Sequence, residues 1–225
     1  MTEMQLRQQV VDIINGWVGA TKGSVAHHEI LTTYNSHTPL AVGYVVQPWD
    51  DYCDTTASAA YIKAGMAEFS GTECGVERHV NLAKEMGIWV ERDDHVPLLG
   101  ESCVYDWQDN GQGDCTGWAD HIGIVTWISA DRKRFIVTEG NMSGGVVGKR
   151  ELEVNARYIR GFICPDFAVA ARALSGKGGT VITTPAVMTN RAKTQERFGF
   201  DDNTMAFLDG HKYKDALYEK LANRP

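Results

Sequence analysis

Trp49-Asp-Asp-Tyr-Cys-Asp-Thr-Thr-Ala-Ser-Ala-Ala-Tyr-Ile-Lys-Ala-Gly-Met66 is the stretch that organises the rest of the chain. Turn-forming and acidic residues lead into Cys53, and Ala57, Ala60, Tyr61 and Ala64 then recur at helical spacing. Gly65 is placed to close that helix in a left-handed cap. Cys53 thus stands at a helix N-terminus, where unpaired backbone N–H groups favour negative charge and lower a thiol pKa. A lone cysteine is more often a small buried core residue, so the stretch is weighed with what surrounds it.

Downstream, His121-Ile-Gly-Ile-Val-Thr-Trp-Ile128 reads as a strand, Ser129 to Lys133 as a turn, and Arg134-Phe-Ile-Val-Thr-Glu139 as the returning strand. Folding this hairpin about Asp131 or Arg132 sets His121 opposite Asn141 or Met142. Alternation then puts Phe135, Val137, Glu139 and Asn141 on one side, provided Gly140 adds no bulge. Directly opposed side chains start about 5 Å apart and diagonal ones about 7–8 Å. His121 is therefore expected to meet Asn141 directly and Glu139 diagonally. A thiol at a helix start, a histidine and a polar group that orients it are the parts of a thiol hydrolase.

Upstream, Leu6, Val10, Ile13, Ile14 and Trp17 predict an amphipathic helix, and Ser24 caps a second through Tyr34. His27 and His28 are adjacent, point to different faces and read as surface residues. Val42 to Val46 predicts a short strand. Beyond the Cys53 helix, Val76 to Met86 is helical, with Cys74 and His79 lacking further metal ligands nearby. Ser102 to Trp107 is a strand with Cys103 facing the core. Asp106-Trp-Gln-Asp-Asn-Gly-Gln-Gly-Asp114 partly matches a calcium loop, through Asp106, Gln108, Asn110 and Gly111, with Asp109 and Asp114 adding carboxylates. Its twelfth position is Gly117 where a bidentate Glu is required, which favours a plain connecting loop. No cofactor is required by this reading. Cys115, with no helix start behind it, is a weaker nucleophile than Cys53.

With 225 residues, 43% hydrophobic and 23% charged, the chain has room for one substantial core and at most a small second module. Its 22 basic and 29 acidic residues argue against a nucleic-acid binder held by phosphate contacts. Cys53, Cys74, Cys103, Cys115 and Cys164 are widely spaced, odd in number and without a Cys-x-x-Cys pair, so reduced thiols are expected. The start, Met-Thr-Glu-Met-Gln-Leu-Arg-Gln-Gln, lacks a signal peptide's apolar run, and no stretch is long enough to span a bilayer. A chain made in the cytoplasm is expected.

Asp-Asp-Tyr-Cys at 50–53, Asp-His-Ile-Gly-Ile-Val at 120–125 and Thr-Glu-Gly-Asn at 138–141 resemble the signatures of the CHAP family, the cysteine, histidine-dependent amidohydrolases/peptidases. The likeness is to phage and prophage endolysins of Gram-positive hosts. It extends to Tyr-Asn-Ser-His at 34–37, Gly-Ile-Trp-Val at 87–90 and Arg-Tyr-Ile-Arg-Gly at 157–161. The resemblance implies a papain-like α+β fold, with helices packed on an antiparallel sheet, that cuts peptidoglycan amides after release to the wall. Carried over, Cys53 is the nucleophile, His121 the general base, and Glu139 and Asn141 the orienting residues. Gln47, six residues before Cys53, has the spacing of a side-chain oxyanion donor in such enzymes. Many relatives have Trp-Cys-Ala followed by a bulky apolar residue, where this chain has Tyr52-Cys53-Asp54-Thr55. An Asp54 carboxylate turned toward the thiol would raise its pKa, whereas one capping the first helical turn would not. A thiol acyltransferase, or a wall-binding protein without activity, are the other readings.

The catalytic region is expected over 1–167, a linker over 168–185, and a small helical module over 186–225. In that module Asp202 caps a helix, Tyr213, Leu217 and Leu221 form a stripe, and Phe198, Phe207 and Leu208 add apolar surface. A module of this size needs a covering partner, which could be the catalytic domain, the wall or another copy of the chain.

Overall fold

The computed structural model describes residues 1–111 and 117–176, together with Thr194, Leu208, Tyr218 and Lys220. Met1–Gly178 form one compact unit and Gly179–Pro225 a second. In the second, the four described residues are helical and Tyr218 is buried. The stripe of Tyr213, Leu217 and Leu221, with Phe198 and Phe207, lies outside the described residues.

The first unit pairs helices with a six-stranded antiparallel sheet. Its helices are α1 (Glu3–Asn15), α2 (Val25–Asn35), α3 (Cys53–Lys63), α4 (Ala67–Ser70), α5 (Val76–Glu85) and α6 (Phe167–Gly176). Its strands are β1 (Trp89–Val90), β2 (Ser102–Tyr105), β3 (His121–Ile128), β4 (Arg134–Met142), β5 (Val146–Glu153) and β6 (Ile159–Ile163), in the order β1-β6-β2-β3-β4-β5. Every ladder is antiparallel. No helix among the described residues is long and apolar enough to cross a membrane.

Local chemistry explains the elements. Thr2 and Gln5 form a capping box at α1, and Ser24 accepts from the His27 N–H at the start of α2. α1 turns Leu6, Val10 and Ile14 inward, each fully buried, and burial of such a side chain contributes about 1.5–3 kcal/mol. Helix α3 ends as its sequence predicts, with Gly65 at φ 76°. It is not amphipathic, however, because every residue from Cys53 to Tyr61 is buried. Its alanines let α2 and the sheet approach from different sides, and Thr56, Ser58 and Tyr61 find partners inside, while the buried Thr55 hydroxyl has none among the described residues. Ser58 donates to the Glu73 carbonyl, and the Tyr61 hydroxyl donates to the Gly100 carbonyl at 2.7 Å.

Three expectations are overturned. Val42 to Val46 is not a strand: Ala41–Gly43 make a 3-10 turn in which Val42 and Gly43 take positive φ, which no ladder accepts. His27 is not a surface residue but fully buried, its ring edge-on to Tyr52 at 4.5 Å. Its Nδ1 accepts the Gly23 N–H, and burial first, then His28 and Lys22, lower its pKa. The linker reading fails at its start, since the residues after Phe167 form α6 with Phe167, Ala170 and Ala171 buried.

Two apolar clusters line the faces of the sheet. Val104, Ile122 and Ile124 join the helices, while Cys103, Tyr105, Val125, Phe135 and Val137 form a second layer. Strand alternation alone sorts these neighbours onto opposite faces.

Candidate active site

Glu139 is the anchor. It is fully buried on β4, and a buried carboxylate requires compensating donors. The Tyr105 hydroxyl donates to Oε1 at 2.6 Å, Arg150 Nε to Oε1 at 2.8 Å and Arg150 Nη2 to Oε2 at 3.0 Å. His121 Nε2 lies 3.1 Å from Oε2. Burial pushes the Glu139 pKa up, but the hydrogen bonds from His121, Arg150 and Tyr105 outweigh it and hold the carboxyl below its usual range. An ionised carboxylate only accepts, so His121 carries its proton on Nε2. Its Nδ1 is then the basic nitrogen.

The ring of His121, 8% exposed, is framed by aromatics. Tyr105 pairs with it across the β2–β3 ladder, and Trp107 stacks on Tyr105 with centroids 4.9 Å apart. The Trp107 ring lies 5.9 Å from that of His121, and the Arg150 guanidinium sits 5.3 Å from the Trp107 centroid. Tyr105, Trp107 and Arg150 were not singled out by sequence reasoning. The signal for Arg150 was the burial of Glu139 itself, which called for a cation on the neighbouring strand.

The glycines of the two motifs have a steric reason. A Cβ on Gly123 would lie 2.6 Å from Glu139 Cγ, and one on Gly140 would lie 2.1 Å from Thr56 Oγ1 and 3.1 Å from the Tyr52 carbonyl. Gly140 thus brings β4 against the first turn of α3, next to Cys53. Gly140→Ala should destabilise the fold by about 1–3 kcal/mol, the usual cost of overpacking. Denaturant melts measure it, and an unchanged midpoint would contradict the close approach.

This approach also redirects Asn141. The β3–β4 ladder is in the expected register at Ile124↔Thr138, but β4–β5 pairing shifts between Glu139 and Met142. Asn141 takes φ 55°, and its Nδ2 donates to Asp51 Oδ1 at 2.8 Å. Glu139, expected on the diagonal, is the residue on His121, and Asn141 instead ties β4 to the segment before Cys53. The Tyr52 hydroxyl adds a second tie, donating to the Gly145 carbonyl at 2.9 Å.

Cys53 begins α3 and is 9% exposed. No hydrogen bond joins its thiol to His121 among the described residues. Ile122 faces the helices and His121 the opposite layer, so any route from thiol to imidazole passes the end of β3, where His121 is the first residue. The helix-start expectation of a lowered thiol pKa is not met. Burial first, then the Asp54 and Asp51 carboxylates, push it up to about 12, against the opposing pull of the Asp54 and Cys53 N–H groups. The resting group is a thiol, and ionising it requires a base.

Asp54 neither caps the turn nor stands alone. Its Oδ1 lies 2.6 Å from His79 Nδ1, with Asp54 1% and His79 0% exposed. His79 Nε2 faces the Ser70 carbonyl at 3.2 Å. Acceptors thus flank both ring nitrogens, so the pair holds the proton that makes it neutral overall. Burial works against charge on His79, but Asp54 and the Ser70 carbonyl outweigh it and raise its pKa. His79 therefore offsets the Asp54 charge felt at Cys53.

Gln47 is placed elsewhere than its spacing suggested: its Nε2 donates to the Val45 carbonyl at 2.7 Å. In the acidic loop, Asp106 Oδ1 accepts the Gln108 N–H and Asp109 Oδ1 the Gly111 N–H, which are turn-forming bonds. Asp114 and Cys115 lie outside the described residues. Cys103 is fully buried in the second layer, as its strand predicts. A groove of about 420 Å³ is lined by Val42, Tyr44, Val46, Asp50, Asp51, Cys74 and Arg78, beside the segment that leads into Cys53.

Comparison with protein-family models, with curated proteins and with solved structures found no match to this chain.

Proposed function

We propose that the chain is a peptidoglycan hydrolase of the endolysin type, a cysteine amidase or endopeptidase with a papain-like arrangement, as its motifs' resemblance to the CHAP family suggests. The observation that carries this reading is the lock on His121. Glu139, itself held by Arg150 and Tyr105, fixes the tautomer in which Nδ1 is a base. In the proposed reaction His121 Nδ1 takes the Cys53 proton as sulfur attacks the scissile carbonyl. The imidazolium, stabilised by Glu139, then protonates the leaving amine. Water, deprotonated by the same nitrogen, attacks the acyl-enzyme, releasing the carboxylate and restoring the thiol. The Cys53 N–H at the start of α3 supplies one oxyanion donor. The groove beside Asp50 and Asp51 offers carboxylates for an amine and the Arg78 guanidinium for a carboxylate, which suits a zwitterionic peptide such as a wall stem.

Mass spectrometry of purified Gram-positive walls after digestion tests the reading. New amine and carboxyl ends at one type of amide are expected. New reducing sugar ends, or intact walls, would refute it; aminolysis products formed only with an added amine would mark an acyltransferase. Among the orienting residues, Glu139→Gln should cost roughly 10⁴-fold in amine release because it removes the charge that fixes the tautomer and stabilises the imidazolium. Asn141→Ala should stay within about 10-fold, as a residue that positions a loop. The reverse order would mean that Asn141, not Glu139, holds the ring during turnover.

A further inference from the structure

Away from this site, three metal-ligand side chains converge at the other end of β2. Ser102 pairs with Ile163 at that end, so Glu101 and Cys164, each one residue beyond, are neighbours, whereas His121 pairs with Tyr105 at the opposite end. His95, from the segment between β1 and β2, completes the group. His95 Nε2 lies 2.9 Å from Glu101 Oε2 and 3.7 Å from Cys164 Sγ, and the three donor atoms all lie within 4.8 Å of one another.

These residue types could also make a second thiol–imidazole–carboxylate relay, but the geometry is wrong for one. A relay uses both ring nitrogens, one toward the thiol and one toward the carboxylate. Here Glu101 and Cys164 face the same nitrogen, Nε2. The ring N–H and the Cys164 thiol both turn toward the Glu101 carboxylate, so sulfur and nitrogen are not joined as nucleophile and base, whereas a shared centre uses all three donors. We propose that His95, Glu101 and Cys164 bind a divalent ion of borderline softness, zinc being the type, which pins the segment between β1 and β2 to the sheet.

The donor set of one imidazole, one carboxylate and one thiolate suits zinc or cobalt and is foreign to calcium or magnesium. Bond lengths of about 2.3 Å to sulfur and 2.0–2.1 Å to nitrogen place these atoms about 3.5 Å apart around a tetrahedral ion, close to the 3.7 Å observed. The nitrogen–oxygen pair must open by about 0.4 Å on the same bond lengths. Surrounding groups already orient the ligands. The Leu98 N–H donates to Glu101 Oε2 at 3.0 Å, and the His95 ring packs on Phe162 at 4.9 Å. Arg7, buried and bonded to the Leu99 carbonyl, has Nη1 4.0 Å from Glu101 Oε1. Such outer contacts set ligand orientation in metal sites. Glu101 is 3% exposed while His95 and Cys164 are half-buried, so an ion has a way in. Binding forms the metal–sulfur bond and releases the thiol proton, and carboxylate and thiolate then balance the dication.

The full chain, stripped with chelator and titrated with Co²⁺, provides the test. One equivalent should bind with a near-ultraviolet thiolate-to-cobalt charge-transfer band, and Zn²⁺ should displace it and raise the melting temperature. Cys164→Ser should lose the band, and His95→Ala should weaken binding roughly 100-fold. Cys74→Ala should keep both. Absence of a stoichiometric band in the wild type, or an undiminished band in Cys164→Ser, would overturn the site. Because Cys164→Ser nearly preserves shape, retention of its far-ultraviolet spectrum separates loss of the ligand from loss of the fold.

Discussion

Cys53→Ser should fold as the wild type does and release amines from purified walls at least about 10⁴-fold more slowly, the scale on which removal of a nucleophile acts in such units. The thiol is already hard to ionise here, since burial, Asp54 and Asp51 push it up to about 12. A hydroxyl in its place is far harder, and His121 could not draw its proton at neutral pH. Single alanine changes at Cys103 and Cys164 should leave activity within the range set by stability. Wall digestion by each purified variant, with circular dichroism as the control for folding, makes the comparison. Normal digestion by Cys53→Ser would remove Cys53 from the mechanism.

The second large effect falls on a residue that no catalytic argument would choose. His79→Ala should destabilise the fold by about 3–5 kcal/mol, because it strands the Asp54 carboxylate in the core. Both partners are essentially inaccessible to water, so solvent does not screen the loss. Asp54→Asn combined with His79→Gln removes both charges and should recover most of that stability. The pair also sets a pH limb. The folded pKa of His79 is raised above the unfolded value of about 6.5, so its contribution is complete below that pH. It is lost as pH rises through the folded value. Glu139 acts in the opposite sense: its folded pKa is lowered, and its contribution is lost as pH falls through that value. Unfolding free energies across pH should therefore decline on both sides, and the neutral double variant should lack the alkaline decline. An identical alkaline limb in that variant would assign it to another group.

How far the sequence reached depends on the range of the interaction. Strand β3 was legible to the residue, because His121 to Ile128 alternates inside a single hairpin with its own turn. The α2 cap at Ser24 and the Gly65 end of α3 were legible because a few neighbouring residues decide them. Glu139 and His121 could be paired on the same local grounds. Asn141 was misplaced because Gly140 meets Thr56 and Tyr52 from a distant helix, and that contact breaks the alternation. His27 was misread for a related reason: it looks like a surface histidine on its own helix and is buried only because Tyr52, just before α3, lies against it. The Asp54–His79 pair was not legible because its two members sit on different helices. The residues after Phe167 carry glycine and serine, yet their first turns are apolar enough to dock as α6.

Whether Cys53 and His121 act as one unit is decided by amine release from purified walls by Cys53→Ser, His121→Ala and the double variant, measured side by side. Groups in one unit are strongly non-additive. The double variant should be no slower than either single one. Independent, multiplying losses, or a His121→Ala protein that still digests walls at the wild-type rate, would contradict a single unit.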